Sequence, residues 1–165
     1  MGGVPKSKYG KKVFKYNVQD MTWTRMPDMT TARSLHACAL FKDESASYVL
    51  VAGGFGGNIY DYRTINHYLA STEMYFLNGT VKQGKPLKEK RSNFRMIFIE
   101  EPAPRIYAIG GYDRTTLFGP GKRLNSIEMW DNSKTWKMTS IKMKTPRNTF
   151  GAVGIPKSMM PQNCQ

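Results

Sequence analysis

Val49-Leu50-Val51-Ala52-Gly53-Gly54-Phe55 is matched, 57 residues further on, by Ile106-Tyr107-Ala108-Ile109-Gly110-Gly111-Tyr112. A chain that repeats itself at such a period is assembled from copies of one supersecondary unit, none of which can bury its apolar surface alone. The match runs beyond the glycines. Ser71-Thr72-Glu73-Met74-Tyr75 returns 55 residues on as Ser126-Ile127-Glu128-Met129-Trp130. Trp23-Thr24-Arg25-Met26 with Met29 and Arg33 returns as Trp136-Lys137-Met138 with Met143 and Arg147, and the copy between them keeps Leu87 and Arg91. Arg33, Arg91 and Arg147 thus stand 58 and 56 residues apart.

Each repeat divides into four short segments rich in β-branched and aromatic residues, separated by Gly, Pro, Asn and charged clusters, which is the pattern of short strands and turns. In the first complete copy the strands are expected at about Leu35 to Phe41, Tyr48 to Gly53, Ser71 to Leu77 and Thr80 to Gly84. In the next they fall at about Phe94 to Glu100, Arg105 to Gly110, Ser126 to Trp130 and Trp136 to Ile141. The second strands are apolar almost without alternation, so both of their faces are covered. A four-stranded antiparallel sheet covered on both faces by copies of itself is a propeller blade, and the class is all-β. No segment sustains a 3.6-residue apolar period.

A double glycine closing an apolar strand, followed by a Ser-x-Glu-x-aromatic strand, a Trp and an Arg, is similar to the kelch repeat. The resemblance covers roughly Val13 to Ile155, with a first repeat that lacks the late Trp and carries long insertions. It implies that Gly53, Gly54, Gly110 and Gly111 permit close turns. It also implies that Glu73 and Glu128 accept hydrogen bonds within or between blades, with Arg33, Arg91 and Arg147 as donors, and that Trp23 and Trp136 pack between sheets. The repeat phase divides the chain into a basic, disordered segment (1–12), a partial blade (13–32), blades at 33–90 and 91–146, a first strand of a further blade (147–155) and a tail (156–165). Kelch propellers typically need about six blades. Three readings stay open: a piece of a longer protein, assembly with copies of itself or a partner, or a small open stack.

The resemblance implies a protein-binding module whose partners meet the loops on one face, either as a ubiquitin-ligase substrate adaptor or as a cytoskeletal, actin-binding scaffold. The loops joining second and third strands are long, 55–70 and 113–124. Loops on a rigid scaffold are the expected seat of function. The first holds Tyr60, Tyr62, Arg63 and His67, the second Arg114, Phe118, Lys122 and Arg123. Aromatics with arginines are common interface anchors and the guanidinium fork suits carboxylates, so the expected ligand is an acidic protein segment.

The formal charge of +13 is spread along the chain and also favours acidic partners. A polyanion- or nucleic-acid-binding fragment is the alternative, although no groove-entering or base-stacking motif is visible. A truncated product without independent function is the other. The apolar runs are too short for a membrane helix, the N-terminus lacks the apolar core of a secretory signal, and the expected compartment is the cytoplasm. Cys38 and Cys164 read as reduced thiols with Cys38 in the core, and Asn78-Gly79-Thr80 as a tight hairpin turn. His36 is expected as a hydrogen-bonded core residue. With two histidines and no nucleophile, paired-carboxylate or metal-ligand pattern, neither an enzyme nor a cofactor or metal is expected.

Overall fold

The computed structural model describes residues 10–56, 68–114 and 120–155, together with Met159. A hairpin of β1 (Val13–Asn17) and β2 (Thr22–Met26) comes first. Blade A follows, formed by β4 (Ala37–Lys42), β5 (Ser47–Ala52), β7 (Thr72–Phe76) and β8 (Val81–Gln83) in the order β4-β5-β7-β8. Blade B has the same antiparallel order in β9 (Arg95–Ile99), β10 (Arg105–Asp113), β11 (Lys122–Trp130) and β12 (Lys137–Lys142). Two-residue strands β3 (Arg33–Ser34) and β6 (Phe55–Gly56) pair beside blade A. The expected turn at Asn78-Gly79 forms, with Gly79 at φ 87 and the Thr80 N–H donating to Asn78 Oδ1.

Blade A packs on blade B through one face of each sheet. Ala37, Phe41, Tyr48, Leu50 and Ala52 meet Phe94, Met96, Ile106, Ala108, Trp130 and Trp136, all buried. Trp136 lies against Trp130 with centroids 5.7 Å apart, and its Nε1 donates to the Lys85 carbonyl. The other face of blade A, with Val51 and Tyr75, closes on Val13 of the β1–β2 hairpin and on Met29 from the linker that follows it. Both faces of β5 are thereby covered, as its unbroken apolar run requires.

Each junction between consecutive units is pinned by a buried ion pair. Arg33 and Glu73 meet at 2.8 Å and Arg91 and Glu128 at 2.8 Å, with all four side chains fully buried. Every glutamate also caps the incoming linker: Glu73 accepts from the Thr30 and Thr31 N–H groups, Glu128 from those of Lys88 and Glu89. The arginines reach across to the carbonyls of Gly53 and Gly110. Those carbonyls are presented by glycines at φ 60 and φ 58. A Cβ on Gly110 would come within 2.6 Å of Met143 Cε and 2.7 Å of the Arg147 carbonyl, so the turn accepts no side chain.

Several expectations are corrected. Trp23 is 68% exposed instead of packed between sheets. Among the described residues no blade covers the outer side of the β1–β2 hairpin, and Trp23 meets the Tyr16 ring at 4.8 Å. Cys38 is exposed, not in the core, because the hairpin supplies only outer strands and leaves that face of β4 bare. Arg147 is exposed, and among the described residues no carboxylate pairs with its side chain. Residues 147–155 contain no strand: a strand needs a neighbour to form a ladder with, and among the described residues no strand pairs with them. Residues 10–12 are ordered, the Lys11 carbonyl accepting from Met29 N–H. His36 is half-buried and its Nδ1 has no hydrogen-bond partner.

Candidate interaction face

Strand directions put all second-to-third-strand connections and all inter-blade linkers at one end of the stack, and the β4–β5, β7–β8, β9–β10 and β11–β12 turns at the other. The linker end is tied laterally by backbone hydrogen bonds. Gly54 N–H donates to the Arg91 carbonyl and Gly111 N–H to that of Arg147, while Ser92 and Tyr112 exchange a reciprocal pair. Surface groups at this end are therefore held on a rigid frame.

Across that frame runs an aromatic series. Phe55 and Tyr68 meet edge to face at 5.1 Å, and Tyr68 and Tyr112 lie 5.8 Å apart, so the series crosses from blade A to blade B. All three rings are partly exposed. Tyr112 is backed by Gly121, where any Cβ would overlap the phenol ring. Sequence reasoning missed Phe55, Tyr68 and Tyr112 as a group. Their adjacency depends on blade-to-blade contact between residues 44 apart, and the only sequence signal was an aromatic directly after each double glycine.

The basic residues named from the sequence divide in two. Arg114 directly follows β10, and Arg123 lies within β11 and not in a loop. Beyond the double glycine the β10–β11 hairpin continues past a bulge, with Tyr112 opposite Arg123 and Asp113 opposite Lys122. Arg123 is exposed and its Nε donates to Asn148 Oδ1 at 3.2 Å. Lys122 stands 3.8 Å from Glu89. Beneath them the Asp113 carboxyl is buried with Oδ1 unpartnered, and burial pushes its pKa up. Tyr60, Tyr62, Arg63, His67 and Phe118 lie outside the described residues.

Charge is segregated between the two ends. The linker end carries Lys11, Lys12, Lys85, Lys88, Lys90, Arg114, Lys122, Arg123, Lys142, Lys144 and Arg147 against Asp28, Glu89 and Asp113. The turn end carries Asp20, Asp43, Glu44, Glu100, Glu101 and Asp131 against Lys42, Arg105, Lys134 and Lys137. A cleft of about 640 Å³ at that end is lined by Lys42, Asp43, Glu44 and Glu100 among others. Among the described residues no three His, Cys, Asp or Glu side chains converge in a metal-binding group, and no helix is long and apolar enough to cross a membrane.

Stacked four-stranded blades, joined by buried arginine–glutamate pairs and displaying their linkers at one end, define a β-propeller segment. Residues 103–140 match the model of the Kelch motif. The chain is 26% identical over 150 residues to the F-box/kelch-repeat protein OR23 of Arabidopsis thaliana, covering 86% of this chain and 33% of that protein. Among solved structures YjhT, a kelch propeller, superposes with a TM-score of 0.64 at 14% identity, over 90% of this chain and 49% of that one. The chain carries kelch repeats and has the fold of an incomplete kelch β-propeller. It spans a third of the curated relative and half of the solved one. The Kelch motif at residues 103–140 and the kelch-repeat relative support a protein-interaction module.

Proposed function

We propose that the module holds an acidic segment of a partner protein across its linker end, against the Phe55–Tyr68–Tyr112 series and the flanking Arg114, Lys122 and Arg123. The observation that carries this reading is the segregation of charge: the positive groups crowd the end where the aromatic rings are also presented, and the opposite end is net acidic. Aromatic rings supply apolar contact at low entropic cost, and the cations supply steering and carboxylate pairing. Tyr60, Tyr62, Arg63 and Phe118, named from the sequence for the same role, lie outside the described residues. The named relative joins such repeats to an F-box. By analogy this chain serves as the substrate-holding part of a larger adaptor or scaffold.

The test is fluorescence anisotropy with a labelled Asp/Glu-rich peptide containing tyrosine. Exposed charge pairs contribute about 0.2–1 kcal/mol each, so Arg114→Ala, Lys122→Ala and Arg123→Ala combined should weaken binding roughly tenfold. Lys42→Ala and Lys134→Ala at the turn end should leave it unchanged. Equal loss from both sets would refute the proposed face. A single-stranded oligonucleotide that binds more tightly than the peptide, with a steep log-linear salt dependence, would favour a polyanion ligand instead.

A further inference from the structure

Among the described residues both ends of the blade stack present uncovered faces, and the internal repeat shows what a covered joint looks like. In the closed joint, Ala39 and Phe41 of β4 face Met96 and Phe98 of β9, with Phe41 and Phe98 6.0 Å apart. One repeat further on, the counterparts of Ala39 and Phe41 after Ile97 and Ile99 are Val153 and Ile155, which are 76% and 55% exposed. One repeat earlier, the counterparts of Met96 and Phe98 are Cys38 and Leu40, both exposed. The tail end of the chain therefore presents the forward half of a joint, and its head presents the backward half.

Three further features repeat the pattern. Tyr16 and Trp23 pair across the β1–β2 hairpin as Trp130 and Trp136 neighbour each other in blade B, yet the second pair is buried against blade A and the first is exposed. Facing outward at the other end, half-covered, are Ile97, Tyr107, Ile109 and Met129, on the face of blade B turned away from blade A. Around the inner rim, Asn93 N–H donates to the Leu35 carbonyl and Thr149 N–H to the Asn93 carbonyl, each at 2.9 Å. All three rim residues adopt the left-handed conformation, at φ 54, 51 and 53. That series ends with a Leu35 N–H and a Thr149 carbonyl that have no partner among the described residues.

We propose that two copies of this chain close a ring head to tail, the second copy docking each open end onto the opposite open end of the first. In each joint Val153 and Ile155 of one copy cover Cys38 and Leu40 of the other. The Tyr16–Trp23 pair packs on Ile97, Tyr107 and Met129, and Leu35 N–H of one copy bonds the Thr149 carbonyl of the other. Residues 150–155 hold the place of the first strand in a composite blade, and β1 and β2 of the second copy hold the places of its third and fourth. A heterologous contact of this kind closes only if the arc matches. One chain superposes on 49% of the length of a solved propeller chain, the share that a ring of two copies calls for. Phe14 occupies the position of Glu128 in the repeat, so in this joint Arg147 meets an aromatic face and not a carboxylate.

Light scattering on the purified full chain at micromolar concentration tests the ring. The expected mass is twice that of one chain. Trp23→Asp, on a side chain already exposed in the single chain, should return it to monomer with an unchanged β circular-dichroism spectrum. In a Cys164→Ser background, Cys38 should react with maleimide at least tenfold more slowly in the wild-type dimer than in the Trp23→Asp monomer. A wild-type monomer, an open-ended series of larger masses, or a dimer whose Cys38 labels as fast as the monomer's would overturn the proposal. Peptide binding by the Trp23→Asp monomer is scored separately, so failure of the ring leaves the interaction face independently tested.

Discussion

Replacing the buried glutamates with glutamine probes the joint that makes a propeller of these repeats. In blade B, Glu128 accepts from Lys88 N–H at 2.6 Å, Glu89 N–H at 3.1 Å, and Arg91 Nε and Nη2 at 3.2 and 2.8 Å. Glu128→Gln turns one acceptor into a donor among these donors and removes the negative charge facing a fully buried guanidinium. Breaking a buried pair by removing one partner costs about 3–5 kcal/mol, because the other charge is left uncompensated. The Glu89 carboxylate, 3.1 Å from Arg91 Nη2, offsets part of that loss, so Glu128→Gln belongs at the lower end, about 3 kcal/mol. Among the described residues no second carboxylate pairs with Arg33, so Glu73→Gln belongs nearer about 5 kcal/mol. With a urea slope of about 2 kcal/mol/M, the two variants lower the unfolding midpoint by about 1.5 and 2.5 M at unchanged slope. Urea titration followed by tryptophan fluorescence reads both shifts. Midpoints within a few tenths of a molar of wild type would refute the pinning role, and the reverse order would refute the part assigned to Glu89.

Trp136→Ala, at a position 1% exposed, should cost about 3–5 kcal/mol, whereas Trp23→Ala should cost under about 0.5 kcal/mol in the isolated monomer; thermal melts of the two variants decide it, and equal losses would show that the hairpin is already covered. His36 is pushed down to about 4, first by burial and then by Arg33. The folded state therefore binds fewer protons there than the unfolded state. The stabilisation is fully present above the ordinary histidine range near 6.5 and is lost as pH falls toward 4. His36→Gln should flatten the dependence of the urea midpoint on pH across that window, and an unchanged slope would assign the acid sensitivity elsewhere.

The propeller class, the four-strand unit, the blade order and the arginine–glutamate pairs were legible in the amino-acid order because a repeat records the same local solution more than once. Two glycines that must take positive φ, a glutamate two residues from an aromatic, and an arginine at a constant interval each leave a mark independent of where the chain lies in space. Strand ends were legible to within a few residues, except where β10 and β11 run on past their bulge, which pairing decided and propensity did not. Exposure was not legible at the ends of the stack. Trp23 and Trp136 occupy the same place in the repeat, as do Cys38 and Met96, and Arg91 and Arg147. Their environments differ only because one of each pair has a neighbouring blade and the other does not. The interaction face was half legible: its cations were named from their segment, but Phe55, Tyr68 and Tyr112 come together across a blade boundary, and the separation of positive from negative ends follows from strand direction. Local sequence determines the unit, because backbone conformation and side-chain pattern are local. Burial, charge segregation and the two open faces belong to the stacking, because they depend on which unit stands beside which.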